Sequence, residues 1–136
     1  MRSTRNSSGP KPGIFTLGLI LWLAGIVVAC LMPVDDFSEV GMDIPYMDKA
    51  AHFVFYFGAM ILAGLTIKEN TLEDPSRGRW VRRAVFGLLL FGLAIEGLQL
   101  VLPAGRSAQW GDLVANGLGL FAGLASLKRG FHELLL

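Results

Sequence analysis

Four uninterrupted apolar runs constrain this chain more than anything else in it. Ile14 to Met32 carries no charged residue, Ala50 to Ile67 contains His52 and no Asp, Glu, Lys or Arg, and Ala84 to Leu102 holds one acid, Glu96. The fourth runs from Gly111 to Leu127 and carries Asp112 and Asn116 near its start. A helix rises ~1.5 Å per residue, so the first run spans roughly 28 Å, close to a bilayer core of about 30 Å. Within lipid every backbone N–H and C=O needs an internal partner, which leaves the helix as the reading for segments of this length. The breakers fall between the runs: Pro33 and Pro45, Pro75-Ser76-Arg77-Gly78, and Pro103-Ala104-Gly105. The expectation is an all-α integral membrane four-helix bundle with helices at about 14–32, 50–67, 84–102 and 111–127, preceded by a disordered cytoplasmic tail over 1–13.

Composition agrees with that class. Charged residues make up 17% of the 136 positions and apolar ones 53%, whereas a soluble domain carries about a quarter charged residues. The net charge of +1 offers no field for nucleic acid, so no nucleic-acid partner is expected. A lone cysteine, Cys30, excludes an internal disulfide and a cysteine-based zinc cluster.

Basic residues set the orientation. Arg2, Arg5 and Lys11 precede the first run. Lys68, Arg77, Arg79, Arg82 and Arg83 lie around the second connection, and Lys128 and Arg129 close the fourth run. Only Lys49 and Arg106 fall on the other side, where Asp35, Asp36, Glu39, Asp43 and Asp48 make the first loop acidic. Both termini are therefore expected in the cytoplasm, with the protein multi-pass in the cytoplasmic (inner) membrane. Tyr46, Trp80 and Trp110 fall at expected interfaces, as aromatic belts do; Trp22 lies mid-span, where a belt does not place it. A competing reading takes Ile14 to Ala29 as a signal h-region and Val27-Val28-Ala29-Cys30 as a lipobox, with Cys30 lipidated. A plain membrane helix needs nothing extra, and Cys30 is expected to stay unmodified.

Polar residues inside such runs need a reason, because a charge at the centre of a membrane helix costs about 2.5–3.5 kcal/mol on the insertion scale. Asp48 and His52 share a face of the second helix, Glu96 and Gln99 one of the third, Asp112 and Asn116 one of the fourth. Glu96 lies roughly 10 Å below the outer end of its helix, and His52 and Asn116 about 6 Å below theirs. All three pairs are thus expected in the outer third of the membrane, with Lys49 and Arg106 above them. The bland reading is that polar groups glue helices together at around 0.6 kcal/mol each. Gln99 and Asn116 divide evenly between glue and site, and Gly119 and Gly123 read as packing residues. Glu96 is an ionisable group at depth, a functional candidate by default.

At these residues the chain resembles a known family. Asp48-Lys49-Ala50-Ala51-His52-Phe53-Val54-Phe55-Tyr56 is similar to the D-K-x-x-H-F-x-x-Y signature of VanZ-like proteins. Glu96-Gly97-Leu98-Gln99 matches its E-x-x-Q element, and Asp112, Asn116, Gly119 and Gly123 match its D-x-x-x-N-x-x-G-x-x-x-G ending. The segment Pro103-Ala104-Gly105-Arg106 is one residue longer than the expected Pro-Gly-Arg. The resemblance implies a small bacterial membrane protein, of a family named after a member associated with resistance to the lipoglycopeptide teicoplanin. It supplies no reaction.

Two functions are open to this pattern. One is a cell-envelope binding protein, in which Asp48, Lys49, His52, Glu96, Gln99, Arg106, Asp112 and Asn116 line an outward pocket for the headgroup of a membrane lipid, a lipid-linked cell-wall intermediate or a lipoglycopeptide. The other is an intramembrane enzyme using His52 and Glu96 for acid–base chemistry, with Asp48 or Asp112 orienting His52. A cation between His52, Glu96 and Asp112 has no H-E-x-x-H spacing to support it, so neither metal nor cofactor is expected. A proton-coupled transporter is disfavoured by four helices without an inverted repeat.

Overall fold

The computed structural model describes residues 12–32, 46–71, 75–102 and 109–130. They form four helices: α1 (Ile14–Leu31), α2 (Met47–Asn70), α3 (Arg77–Val101) and α4 (Trp110–Gly130). Three helices outrun their apolar runs: α2 extends three residues beyond each end of 50–67. α3 begins at Arg77, seven residues before Ala84, and α4 continues through Lys128 and Arg129 to Gly130. The helical hydrogen-bond ladder need not stop where apolarity stops. Long basic side chains bury their stems and keep their heads wet, and Arg83 lies over the Trp80 ring, 4.8 Å from its centroid. Lys128 and Arg129 sit where a helix C-terminus favours cations, while Asp48 and Asp112 occupy first turns, where it favours anions.

Side-chain pairings give the directions of the helices. Lys49 meets Asp112, His52 meets Asn116, and Gly64 meets Leu127, so α2 and α4 run parallel in nearly constant register. His52 faces Glu96 while Tyr56 lies against Gly92, so α3 runs antiparallel to α2. α1 is also antiparallel to α2: Trp22 packs on Gly58, and Thr16 accepts a hydrogen bond from Asn70.

Glycine closes the α2–α4 seam. A Cβ at Gly119 would fall on the backbone carbonyl of Phe53. One at Gly123 would stand 2.9 Å from the Phe57 carbonyl oxygen and 2.9 Å from Met60 Cβ. Small residues that let backbones touch are how helices associate without a hydrophobic drive. Trp22, unexplained by an aromatic belt, has a packing role: its Nε1 donates to the Phe55 carbonyl at 2.9 Å, and its ring occupies the space a Cβ on Gly58 would take.

The outward surface is apolar. Ile14, Leu21, Leu100 and Val101 are each more than two-thirds exposed, which is the arrangement of a bundle solvated by lipid. α1, α2 and α3 are long and apolar enough to cross a membrane. α4 is not among them by composition; it runs alongside α2 in the parallel register given above.

Candidate functional site

The first turns of α2 and α4 lie side by side, and the last third of α3 closes over them. Lys49 crosses from α2 to α4. Its Nζ lies 3.1 Å from Asp48 Oδ2, 3.3 Å from Asp112 Oδ1, and donates to Gln109 Oε1 at 2.9 Å. The lysine stem passes over Gly111, where a Cβ would stand 2.6 Å from Cε. Asp48 remains exposed at this rim, whereas Asp112 is buried.

One turn deeper the site becomes dry. His52, Glu96 and Asn116 are 3%, 5% and 3% exposed. His52 Nδ1 lies 2.9 Å from Asn116 Oδ1 and 3.9 Å from Glu96 Oε1. Behind them Tyr56 is fully buried, and Gly92 leaves room for both the Tyr56 hydroxyl and the Asn116 amide, each of which a Cβ there would approach to 3.2 Å. Several polar atoms here have no hydrogen-bond partner among the described residues: both Glu96 oxygens, Tyr56 OH and Asn116 Nδ2. Buried polar groups are ordinarily paired, so these atoms leave hydrogen-bonding capacity around one histidine.

Of the eight residues expected to line a site, the structure brings Asp48, Lys49, His52, Glu96, Asp112 and Asn116 together. Gln99 is buried but turned away: its Nε2 donates to the Cys30 carbonyl at 2.8 Å and ties α3 to α1. Arg106 lies outside the described residues, as do Asp35, Asp36, Glu39 and Asp43. Gln109 was not anticipated. Its only signal is its position three residues before Asp112, on the turn that starts α4.

The cluster is not sealed on every side. Between α3 and α4 a cleft of about 330 Å³ is lined by Leu93, Glu96, Gly97, Leu100, Gln109, Trp110 and Leu113. Its walls are apolar except for Glu96 and Gln109. A larger cleft of about 440 Å³ between the same two helices includes Arg82, Leu89, Leu124 and Lys128 and touches no member of the cluster. The site is therefore taken to be the smaller one.

The fold and cluster together define a multi-pass membrane protein whose helices enclose a histidine between two carboxylates. The VanZ/LLP1 family pattern matches residues 14–131, nearly the whole chain, and the chain belongs to that family. Neither the curated proteins nor the solved structures contain a match.

Proposed function

We propose that this chain is a bacterial cell-envelope protein that binds a lipid-linked ligand. The acyl or prenyl part lies in the α3–α4 cleft, and the polar head reaches the Lys49–His52–Glu96–Asp112 cluster. The observation that carries this reading is the cleft itself, apolar along its length with a buried carboxylate at its wall. Pockets that bind amphipathic molecules have this division: apolar walls for area, a few polar groups for orientation. Lys49 at the rim supplies a point charge for an anionic or hydroxyl-rich head.

Native mass spectrometry of the purified protein, with identification of the lipids it retains, tests the proposal. Wild type should hold a polyprenyl-phosphate-class lipid in preference to bulk phospholipid. Gly97→Leu, which fills the cleft from a position where an added Cβ meets nothing within 4 Å, should lose it while remaining folded. Equal retention of bulk phospholipid alone by both proteins would sink the reading.

Orientation belongs to the same proposal. The bias of Lys and Arg toward one side supports cytoplasmic termini and an outward-facing cluster. An alkaline-phosphatase fusion after Leu136 should be inactive and one in the Asp35–Asp43 loop active; the reverse pattern places the cluster on the cytoplasmic face. Glycopeptide resistance, the property the family resemblance implies for one member, is a separate question of this ligand's identity.

A further inference from the structure

We propose that His52, Glu96 and Asp112 hold a divalent first-row metal ion, zinc or manganese, at the junction of α2, α3 and α4. Each residue comes from a different helix and each is buried. One ligating atom from each lies within 4.8 Å of the other two. Zinc takes histidine nitrogen and carboxylate oxygen at about 2.0–2.2 Å, which sets donors in a tetrahedral site roughly 3.3–3.5 Å apart.

The orphaned carboxylate makes a second, independent case. Both Glu96 oxygens are buried, and among the described residues neither has a hydrogen-bond partner; the nearest cationic group is His52 Nδ1, 3.9 Å from Oε1. The lysine of the cluster is already committed to Asp48, Asp112 and Gln109. A buried carboxylate whose nearest cationic partner is a histidine nitrogen at 3.9 Å is poorly compensated, and a cation between the two removes the deficit.

The surroundings match a metal site as well. His52 Nδ1 lies against Asn116 Oδ1. A cation bound at Nδ1 finds that amide oxygen beside it as a fourth donor, and one bound at Nε2 leaves Asn116 as the outer partner that fixes the ring. Lys49 on Asp112 Oδ1 likewise orients a ligating carboxylate. One nitrogen with oxygens and no sulfur suits zinc or manganese, not copper(I). No short motif announces such a site because its ligands are contributed one per helix, which is why the lack of H-E-x-x-H led to the opposite expectation.

The cation site does not depend on the lipid reading, and one set of samples separates them. The full chain is purified, stripped with EDTA, and titrated with zinc and with manganese by calorimetry. Metal content is measured by mass spectrometry, and the zinc absorption edge is recorded for an N/O shell containing imidazole. Wild type and Lys128→Gln, an exposed change at the far end of α4, should take up about one ion per chain. Glu96→Gln and Asp112→Asn should bind at least ~10–100-fold more weakly, the loss seen even for outer partners of metal sites. Should a variant not fold, the absorption edge of the wild type decides. No stoichiometric ion in wild type, or undiminished affinity in Glu96→Gln, overturns the proposal. Specific lipid retained by the stripped protein with no ion taken up leaves the lipid reading standing alone. An ion bound equally by wild type and Gly97→Leu, with no specific lipid in either, does the reverse.

Discussion

α4 has two flanks, and they are built on opposite principles. Toward α2 it presents Gly119 and Gly123 to the Phe53 and Phe57 carbonyls, so closely that no side chain fits between the backbones. Toward α3 it leaves clefts of about 330 and 440 Å³. The first flank fixes Lys49 against Asp112 and His52 against Asn116; the second leaves apolar space beside Glu96. Under the proposed function, the closed flank holds the polar groups in place and the open one admits the apolar chain.

Glycines on the two flanks should therefore respond in opposite ways. Gly119→Ala puts a methyl on a backbone carbonyl, which only separation of α2 and α4 can relieve. Overpacking of this kind costs about 3 kcal/mol or more when backbone must move. The expected outcome is loss of the folded species in thermal unfolding monitored by size-exclusion chromatography. A stable Gly119→Ala protein with an intact Lys49–Asp112 contact would break the contrast. Gly97→Ala is the small-effect counterpart. Its Cβ meets nothing within 4 Å, and alanine is the better helix former by roughly 0.8–1 kcal/mol. Thermal unfolding should show a protein as stable as wild type or slightly more so. A clear destabilisation would mean that the α3–α4 cleft closes in solution.

Residues whose spacing carries information were legible before the structure. Asp48 with His52 and Asp112 with Asn116 fall on single helix faces by their four-residue separation, and matching depth on three helices placed them together. Gly119 and Gly123 declared the seam in the same way. What spacing along one helix cannot encode is its rotation against a neighbour that arrives much later in the chain. Gln99 shares a face with Glu96, yet it reaches the Cys30 carbonyl of α1 instead of the cluster. Trp22 looked misplaced because its acceptor, the Phe55 carbonyl, lies on another helix. The start of α3 at Arg77 was missed for a different reason: apolarity marks what lipid covers, whereas a helix ends where its hydrogen bonds do.

The parallel pairing of α2 and α4 has a consequence for how the protein is made. α4 follows the other three helices out of the ribosome, and its polar residues leave it short of the apolarity that α1, α2 and α3 have. Alone in the translocon it would be a poor candidate for release into lipid. α2 is already there, offering a face on which Asp112 finds Lys49, Asn116 finds His52 and the glycines find bare backbone. The residues that complete the cluster are thus also the ones that tie α4 to a helix made before it.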